Sequence, residues 1–216
     1  MPDRARGKLV VIAAPSGAGK TTLVHALLAR EPGLRFSISY TTRPQRAAEA
    51  DGQDYFFVDT REFERMRDAG EFLEWAQVFD HCYGTSRAHV ESLLAAGHSV
   101  LLEIDWQGAA QIRAAAPEAV SIFVLPPSRR ELERRLRGRG TDPPAVIERR
   151  LADAVGDMGH WREFDYVVVN DDLEAAVDRL VGILRGGGEE LASRAPAAAA
   201  AAARLGLPEL AGPARP

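Results

Sequence analysis

Four short apolar runs along the chain alternate with segments whose apolar residues recur at helical spacing. The runs span residues 8–13, 100–104, 121–125 and 166–169. Runs that are apolar at nearly every position, without polar alternation, are typical of strands buried on both faces. The pattern therefore predicts an α/β fold, in which helices cover both faces of a parallel sheet.

Helical spacing is clearest in two segments. In 21–30 three leucines share one face, and 171–184, predicted as the last helix, carries a similar apolar stripe. A third helix is predicted to begin after Ser128, because Glu131 three residues later completes a capping box.

Three segments do not fit this alternation. Residues 36–58 are polar with aromatic residues and turn signals, and residues 137–150 are rich in Arg, Gly and Pro. Both are predicted to be mobile insertions at one end of the sheet. From 187 to 216 the chain is mostly Ala, Pro and Gly, which offer few large side chains to bury. The folded domain is therefore predicted to span 7–186, with a disordered tail after it.

Composition and charge narrow the class of protein. A chain of 216 residues, 46% hydrophobic and 27% charged, fits one globular domain with small lobes. The net charge of −4 provides no basic field for nucleic acid. Cys82 is the single cysteine, so an intrachain disulfide is excluded, and no apolar run is long enough for a signal sequence or a membrane span. We expect a cytoplasmic protein with no nucleic-acid or membrane partner.

The strongest motif lies between the first strand and the first helix. Residues 14–21 read APSGAGKT and match the P-loop pattern G-x-x-x-x-G-K-[ST] except at the first position. In such a loop, backbone N–H groups and the positive end of the helix bind phosphate oxygens. Lys20 is predicted to contact the β- and γ-phosphates of ATP, and the Thr21 hydroxyl to bind Mg²⁺. The predicted nucleotide-binding residues here are Ser16, Gly17, Ala18, Gly19, Lys20, Thr21 and Thr22.

A second anion site is predicted in the polar segment. Arg43 and Arg46 lie three residues apart and are followed by Glu49 and Tyr55. Two guanidinium forks and a phenol hydroxyl suit a phosphate monoester. On this pattern alone, a solvated loop with incidental charge is an equal alternative.

Acidic and hydroxyl residues further along suit a purine base. Glu74 lies among apolar neighbours, so its carboxylate is either exposed or has a partner. The adjacent N1–H and N2–H₂ donors of guanine would be such a partner, and adenine lacks that pair. Ser39 and Thr85 are predicted to contact guanine as well. Glu103 and Asp105, spaced i and i+2, are predicted on one side of a strand at its ligand-facing end.

Together these segments resemble guanylate kinases, which phosphorylate GMP with ATP. The likeness runs in family order over about residues 8–185, which is most of the chain. The segments that carry it are 14–21, 41–43, 54–58, 72–74, 83–85, 104–108, 135–140 and 169–172. Three positions depart from the family: Glu103 stands for the usual Asp, Gln45 for Pro and Ala48 for Gly. Glu103 makes the carboxylate that the resemblance places on the Mg²⁺ side one methylene longer. The departures at Gln45 and Ala48 bear on nucleotide affinity more than on the resemblance.

The resemblance implies a core with a GMP-binding lobe at about 36–96 and an Arg-rich lid at about 137–150. It implies that the GMP phosphate is held by Arg43, Arg46, Tyr55 and Tyr83, and guanine by Ser39, Glu74, Thr85 and Asp105. On the ATP side it implies Arg135, Arg139 and Arg150 at the phosphates and Asn170 near adenine. Glu49 and Glu103 complete the predicted substrate site, and the predicted catalytic residues are Lys20, Arg43, Arg135 and Arg150.

The expected activity is transfer of the γ-phosphate of ATP to GMP and dGMP, assisted by Mg²⁺, in a monomer or weak homo-oligomer. Two alternatives are kept. A non-catalytic guanylate-kinase-like module that binds phosphopeptide predicts a degraded phosphate loop. Another small P-loop phosphotransferase, such as one acting on a phosphorylated sugar, leaves the guanine contacts unused.

Overall fold

The structure is a computed structural model that describes residues 7–47, 49–138 and 143–207. The strands are β1 (Leu9–Ala13), β2 (Leu34–Phe36), β3 (Ser39–Thr41), β4 (Phe56–Phe57), β5 (Phe72–Val78), β6 (His81–Ser86), β7 (Ser99–Ile104), β8 (Val120–Leu125) and β9 (Tyr166–Val169). The α-helices are α1 (Lys20–Arg30), α2 (Thr60–Asp68), α3 (Arg87–Ala95), α4 (Trp106–Ala115), α5 (Arg129–Gly138), α6 (Pro144–Met158), α7 (Leu173–Leu184) and α8 (Pro196–Arg204). Two 3₁₀ helices span Gly159–Glu163 and Glu189–Leu191.

The five-stranded sheet confirms the predicted α/β class. Its strand order is β2-β7-β1-β8-β9, and the pairs β2·β7 and β8·β9 are parallel. Every residue of β1 is buried, as is every residue of β8 after Val120. These are the uninterrupted apolar runs of the sequence, because a strand covered on both faces has no polar side to show.

A second sheet, ordered β4-β3-β6-β5, occupies the region between residues 39 and 86. Two of its strands, β3 and β4, fall in the segment 36–58, which was predicted as a mobile insertion. That prediction missed them because both are short and neither shows a run of alternating apolar residues. Phe63 and Met66 of α2 and Phe72 of β5 form a small core of this region.

The described chain divides into two compact units. Unit 1 comprises the residues up to Val11 and Pro32–Val120, and unit 2 comprises Ile12–Glu31 and the residues from Ser121 onward. Within unit 1, α3 packs against β7 and α4 packs against β5. Within unit 2, α1 packs against α7.

The helices of unit 2 differ from expectation in two places. α7 begins at Leu173 rather than 171, because the Asp172 side chain accepts a hydrogen bond from Ala175 N and caps the helix. The segment predicted as a mobile insertion at 137–150 holds the end of α5 and the start of α6. Residues 139–142 lie outside the described residues.

The region beyond residue 186 is helical in part, whereas composition predicts disorder. α8 buries Ala198, Ala201 and Ala202, and Arg129 Nε donates to Leu205 O at 2.5 Å. α7 is therefore not the last helix. Alanine is the strongest helix former and allows close packing, so a run of alanines can dock where large side chains are absent. Residues 208–216, the end of the predicted tail, lie outside the described part of the chain.

Candidate functional site

The loop between β1 and α1 forms the first candidate site, within unit 2. Gly17 and Gly19 have φ values of 87° and 89°, a left-handed conformation that only glycine adopts without strain. α1 begins at Lys20, so Lys20, Thr21 and Thr22 occupy its first turn. The first turn of a helix presents backbone N–H groups and a positive dipole end, which together favour an anion.

Two side chains from elsewhere in unit 2 hold this loop at one carbonyl. Arg135 NH1 donates to Ala18 O at 3.0 Å, and Asn170 Nδ2 donates to the same oxygen at 2.7 Å. Arg135 NH2 also donates to Asn170 O at 3.0 Å. The C=O of Ala18 and the N–H of Gly19 point in opposite directions across one planar trans peptide. Holding the Ala18 carbonyl therefore fixes the direction of the Gly19 N–H.

Glu131 orients Arg135 and was not among the predicted site residues. Arg135 Nε donates to Glu131 Oε1 at 2.8 Å, and Arg134 donates to both oxygens of the same carboxylate. Hydrogen bonds from Arg134 and Arg135 lower the pKa of Glu131 to about 2. Its spacing of four residues from Arg135 on α5 is the signal that could have identified it.

Two further residues, Arg139 and Arg150, are predicted on the ATP side. Arg150 lies in α6, and Arg139 lies outside the described residues. Their predicted contacts with ATP phosphates stay predictions.

In unit 1, three predicted guanine-binding residues lie side by side across three strands. Ser39 of β3 is opposite Thr85 of β6, and Thr85 is opposite Glu74 of β5. Thr85 Oγ1 donates to Glu74 Oε1 at 2.6 Å, with Thr85 0% and Glu74 3% exposed. Of the two alternatives for Glu74, exposure or a partner, the structure shows burial with a partner.

Asp105 and Gly108 place the start of α4 against Glu74. β7 ends at Ile104, so Asp105 lies beyond the strand and not on its face as predicted. Its carboxylate accepts a hydrogen bond from Gly108 N at 2.7 Å and caps α4. A Cβ atom on Gly108 would collide with Glu74 Oε2, so the buried carboxylate lies against the first turn of this helix. Gly108 was not among the predicted site residues.

The predicted phosphate-binding residues of unit 1 also lie close together. Arg43 NH2 lies 2.7 Å from Glu49 Oε1, and Arg46 N donates to Glu49 Oε2 at 2.9 Å. The Arg43 guanidinium lies 5.3 Å from the centre of the Tyr55 ring, and the Tyr55 and Tyr83 rings are 6.0 Å apart. Glu49 therefore orients Arg43 beside two phenol rings.

Of the positions that depart from the family pattern, Gln45 has a definite contact. Its Nε2 donates to Glu49 O at 2.5 Å, so it helps hold the loop that carries Arg43. Ala48 lies outside the described residues.

The charges of this cluster support one another. Burial alone would lower the pKa of Arg43, but its hydrogen bond and ion pair with Glu49 outweigh that effect and raise it. Burial alone would raise the pKa of Glu49, but hydrogen bonds from Arg43 and Arg46 hold it below its ordinary value. Burial, followed by the negative charge of Glu103, raises the pKa of Tyr55 to about 12. At neutral pH the Tyr55 hydroxyl is therefore protonated and able to donate to an anion.

The fold and the loop of unit 2 define a class of protein. A glycine-rich turn between a buried strand of a parallel sheet and a helix that opens with Lys-Thr is the P-loop of an α/β nucleotide-binding protein. Among the described residues, no helix is both long and apolar enough to cross a membrane.

Comparison with known proteins identifies the family. The guanylate kinase family model matches residues 6–186. A guanylate kinase of Aromatoleum aromaticum is 56% identical over 179 residues, which cover 83% of this chain and 88% of that protein. One of Dechloromonas aromatica is 57% identical over 182 residues, covering 84% and 90%. The crystal structure of guanylate kinase from Anaplasma phagocytophilum superposes with a TM-score of 0.71 at 39% identity, covering 84% of this chain and 86% of that one. The chain belongs to the guanylate kinase family.

Proposed function

We propose that this chain is an enzyme that transfers the γ-phosphate of ATP to GMP, and also to dGMP, giving ADP and GDP or dGDP. The buried Glu74 carboxylate, held by Thr85 against the start of α4, is the observation that supports GMP as acceptor. Guanine presents the adjacent N1–H and N2–H₂ donors that a fixed carboxylate can accept, and adenine does not. Ser39 and Asp105 complete the guanine contacts.

The phosphate of GMP binds the cluster of Arg43, Arg46, Tyr55 and Tyr83. Two guanidinium groups and two phenol hydroxyls provide charge and donors for its oxygens. Glu49 orients Arg43, and Glu103 lies on the substrate side near Tyr55. Because these residues serve the base and the phosphate rather than the ribose, dGMP is accepted as well.

ATP binds the P-loop of unit 2 through Ser16, Gly17, Ala18, Gly19, Lys20, Thr21 and Thr22. Lys20 places a compact positive charge at the β- and γ-phosphates. Arg135, Arg139 and Arg150 neutralise phosphate charge from the side of the lid, which spans about 137–150, and Asn170 lies near adenine.

The donor set at the P-loop fits Mg²⁺. Thr21 offers a hydroxyl oxygen in the first turn of α1, and Mg²⁺ prefers oxygen ligands that include water and substrate phosphates. No cluster of three His, Cys, Asp or Glu side chains within the described ranges could hold a metal ion. Thr21 would therefore share the ion with ATP. When bound, Mg²⁺ offsets negative charge on the β- and γ-phosphates.

Transfer follows an in-line path. A GMP phosphate oxygen forms a bond to the γ-phosphorus, while the bond to the β–γ bridging oxygen breaks and ADP leaves with the electron pair. The GMP phosphate is mostly ionised at pH 7, with a second pKa of about 6, so no general base is needed. Lys20, Arg43, Arg135 and Arg150 offset the charge of the transition state.

The test is a panel of acceptors. Purified protein with ATP and Mg²⁺ is given GMP, dGMP, AMP, CMP or UMP, and the diphosphate products are separated by ion-exchange chromatography. GMP and dGMP are expected to react well, and the wrong bases at least about 10⁴ times more slowly, because they leave buried polar groups unpaired. A preference for AMP would contradict the assignment of Glu74.

The same panel addresses the two alternatives. A phosphopeptide-binding module would turn over no ATP with any acceptor, and a sugar-phosphate kinase would show no preference for guanine. The presence of Gly19, Lys20 and Thr21 at the start of α1 supports catalysis. We place the enzyme in the cytoplasm. We also propose that it is a monomer or weak homo-oligomer, and sedimentation velocity of the purified chain tests this oligomeric state.

A further inference from the structure

Glu74 lies on β5, an edge strand of the second sheet. β5 stands at the end of the order β4-β3-β6-β5, so β6 is its only strand neighbour in the described part of this sheet. The register of β5 against β6 also shifts between Phe72 and Glu74. A bulge changes the direction of the strand and of the side chain beside it. Thr85 of β6 holds the Glu74 carboxylate from the inner side of β5, and a contact on the outer edge of the strand would add to that support.

Gln111 of α4 provides such a support at the next residue. Its Nε2 donates to Trp75 O at 2.6 Å, and its Oε1 accepts from Trp75 N at 3.1 Å. Two residues of neighbouring antiparallel strands exchange the same pair of bonds. One side-chain amide thus takes the place of a strand residue on the outer edge of β5.

The helix that carries Gln111 also carries the groups against which Glu74 lies. Asp105 caps the start of α4, and Gly108 leaves the space that the Glu74 carboxylate occupies. Gln111 is one helical turn beyond Gly108. The bonds to Trp75 therefore tie the backbone next to Glu74 to the same helix whose first turn receives its carboxylate.

We propose that Gln111 is a positioning residue for guanine recognition. It holds the Trp75 peptide and thereby fixes the Glu74 carboxylate against α4, in the place where it accepts from guanine. This inference rests on the proposed function, because it assigns a cause to the preference for GMP.

The first experiment replaces Gln111 by Met, which has similar length and no amide. Gln77→Met is the matched control. Gln77 lies on β5, the strand of Glu74, and its side chain donates a long hydrogen bond of 3.4 Å to Phe79 O. Titration calorimetry with GMP and with ADP measures each site without turnover. We expect Gln111→Met to weaken GMP binding roughly tenfold, from the loss of two hydrogen bonds, with ADP binding unchanged. Equal GMP affinity in the two variants would overturn the proposal.

A double-mutant cycle separates positioning from general support of the fold. In a Glu74→Gln background, Gln111→Met should change GMP affinity less than about twofold, because the group that it positions is already altered. The same tenfold loss in both backgrounds would show that Gln111 acts independently of Glu74 and would overturn the inference.

A second variant protects the test against misfolding. Gln111→Glu keeps the length and the acceptor but loses the donor to Trp75 O, so it should also weaken GMP binding and leave ADP binding intact. Unchanged GMP affinity in this variant contradicts the proposal. Failure of the proposed function looks different: the parent chain would bind GMP, with these variant effects, but would form no GDP from ATP.

Discussion

Both units hold an arginine with a glutamate, yet they prepare their candidate sites in different ways. In unit 2, Arg135 is oriented by Glu131 and fastens the backbone of the phosphate loop at Ala18 O. The groups that we propose to bind phosphate there are peptide N–H groups and the start of a helix. In unit 1, Arg43 is oriented by Glu49, and the groups that we propose to contact the base are side chains on three paired strands.

The difference concerns what each site demands of the chain. A backbone site tolerates many side chains, provided that a few glycines and one lysine are in place. A side-chain site depends on strand register, because a shift of one residue turns every side chain to the other face of the sheet. Substitutions at the site of unit 2 should therefore change the binding of ATP, and substitutions at the site of unit 1 should change the binding of GMP.

The largest effect is expected at Lys20. Lys20→Ala removes the compact charge that we propose for the transferred phosphate and should lower kcat on the order of 10²–10³-fold, by analogy with loss of one donor to a transition-state oxyanion. GMP affinity should not change. The control is Lys8→Ala, at the only other lysine of the chain. Lys8 is exposed, so this variant should behave like the parent. Full activity of Lys20→Ala in the GDP-formation assay would contradict the proposed role of Lys20 at the ATP phosphates.

The next effect is expected at Gly108 in unit 1. Gly108→Ala places a methyl group where Glu74 Oε2 lies, and overpacking of this kind costs about 1–3 kcal/mol. If that cost falls on the carboxylate, GMP binding weakens roughly tenfold to a hundredfold while ADP binding is retained. In a helix with free space, alanine is more stable than glycine by about 1 kcal/mol. A lower free energy of unfolding in Gly108→Ala would therefore show that the new methyl group collides with Glu74.

Gly182→Ala in α7 is the control for Gly108. A Cβ there meets nothing within 4 Å, so this variant should be as active as the parent and slightly more stable. Unaltered GMP affinity in Gly108→Ala would mean that Glu74 is not held against α4 as the structure indicates.

A smaller effect is expected at Arg135. Arg135→Lys keeps the charge but cannot reproduce the three bonds to Ala18 O, Asn170 O and Glu131, so the KM for ATP should rise roughly tenfold. The KM for GMP should stay within twofold. Arg134 is an exposed neighbour that donates to the same glutamate, and Arg134→Lys should leave both constants near those of the parent. An equal rise in both KM values would contradict the division between the units.

The smallest effect concerns pH. The pKa of Glu131 is about 2 in the folded chain, below the ordinary value of 4.5, so its ion pairs stabilise the fold fully above about pH 4.5 and are lost as pH falls toward 2. The difference in melting temperature between the parent and Glu131→Gln should therefore be constant from pH 7 to 5 and shrink below. A difference that grows on acidification would have the wrong sign. Thermal scans in buffers from pH 7 to 3 measure it.

The two sites also differ in how far they could be predicted. The phosphate loop is a local motif, and the strand before it and the helix after it are confirmed. The partners that hold it, Arg135 and Asn170, come from distant positions, and a resemblance to a known family placed them near ATP without indicating that both bind Ala18 O. Glu131, Gly108 and Gln111 were not identified, because each acts on another residue rather than on a ligand.

Local sequence determined the buried strands, the P-loop and the start of α5 after Ser128, because these depend on apolar runs, glycine φ angles and caps within a few residues. The tertiary structure decided that Ser39, Thr85 and Glu74 form a row and that Asp105 caps a helix instead of lying on a strand. It also decided that an alanine-rich segment docks as α8. Such contacts join residues far apart in the chain, and their energy depends on register and burial, which no single segment encodes.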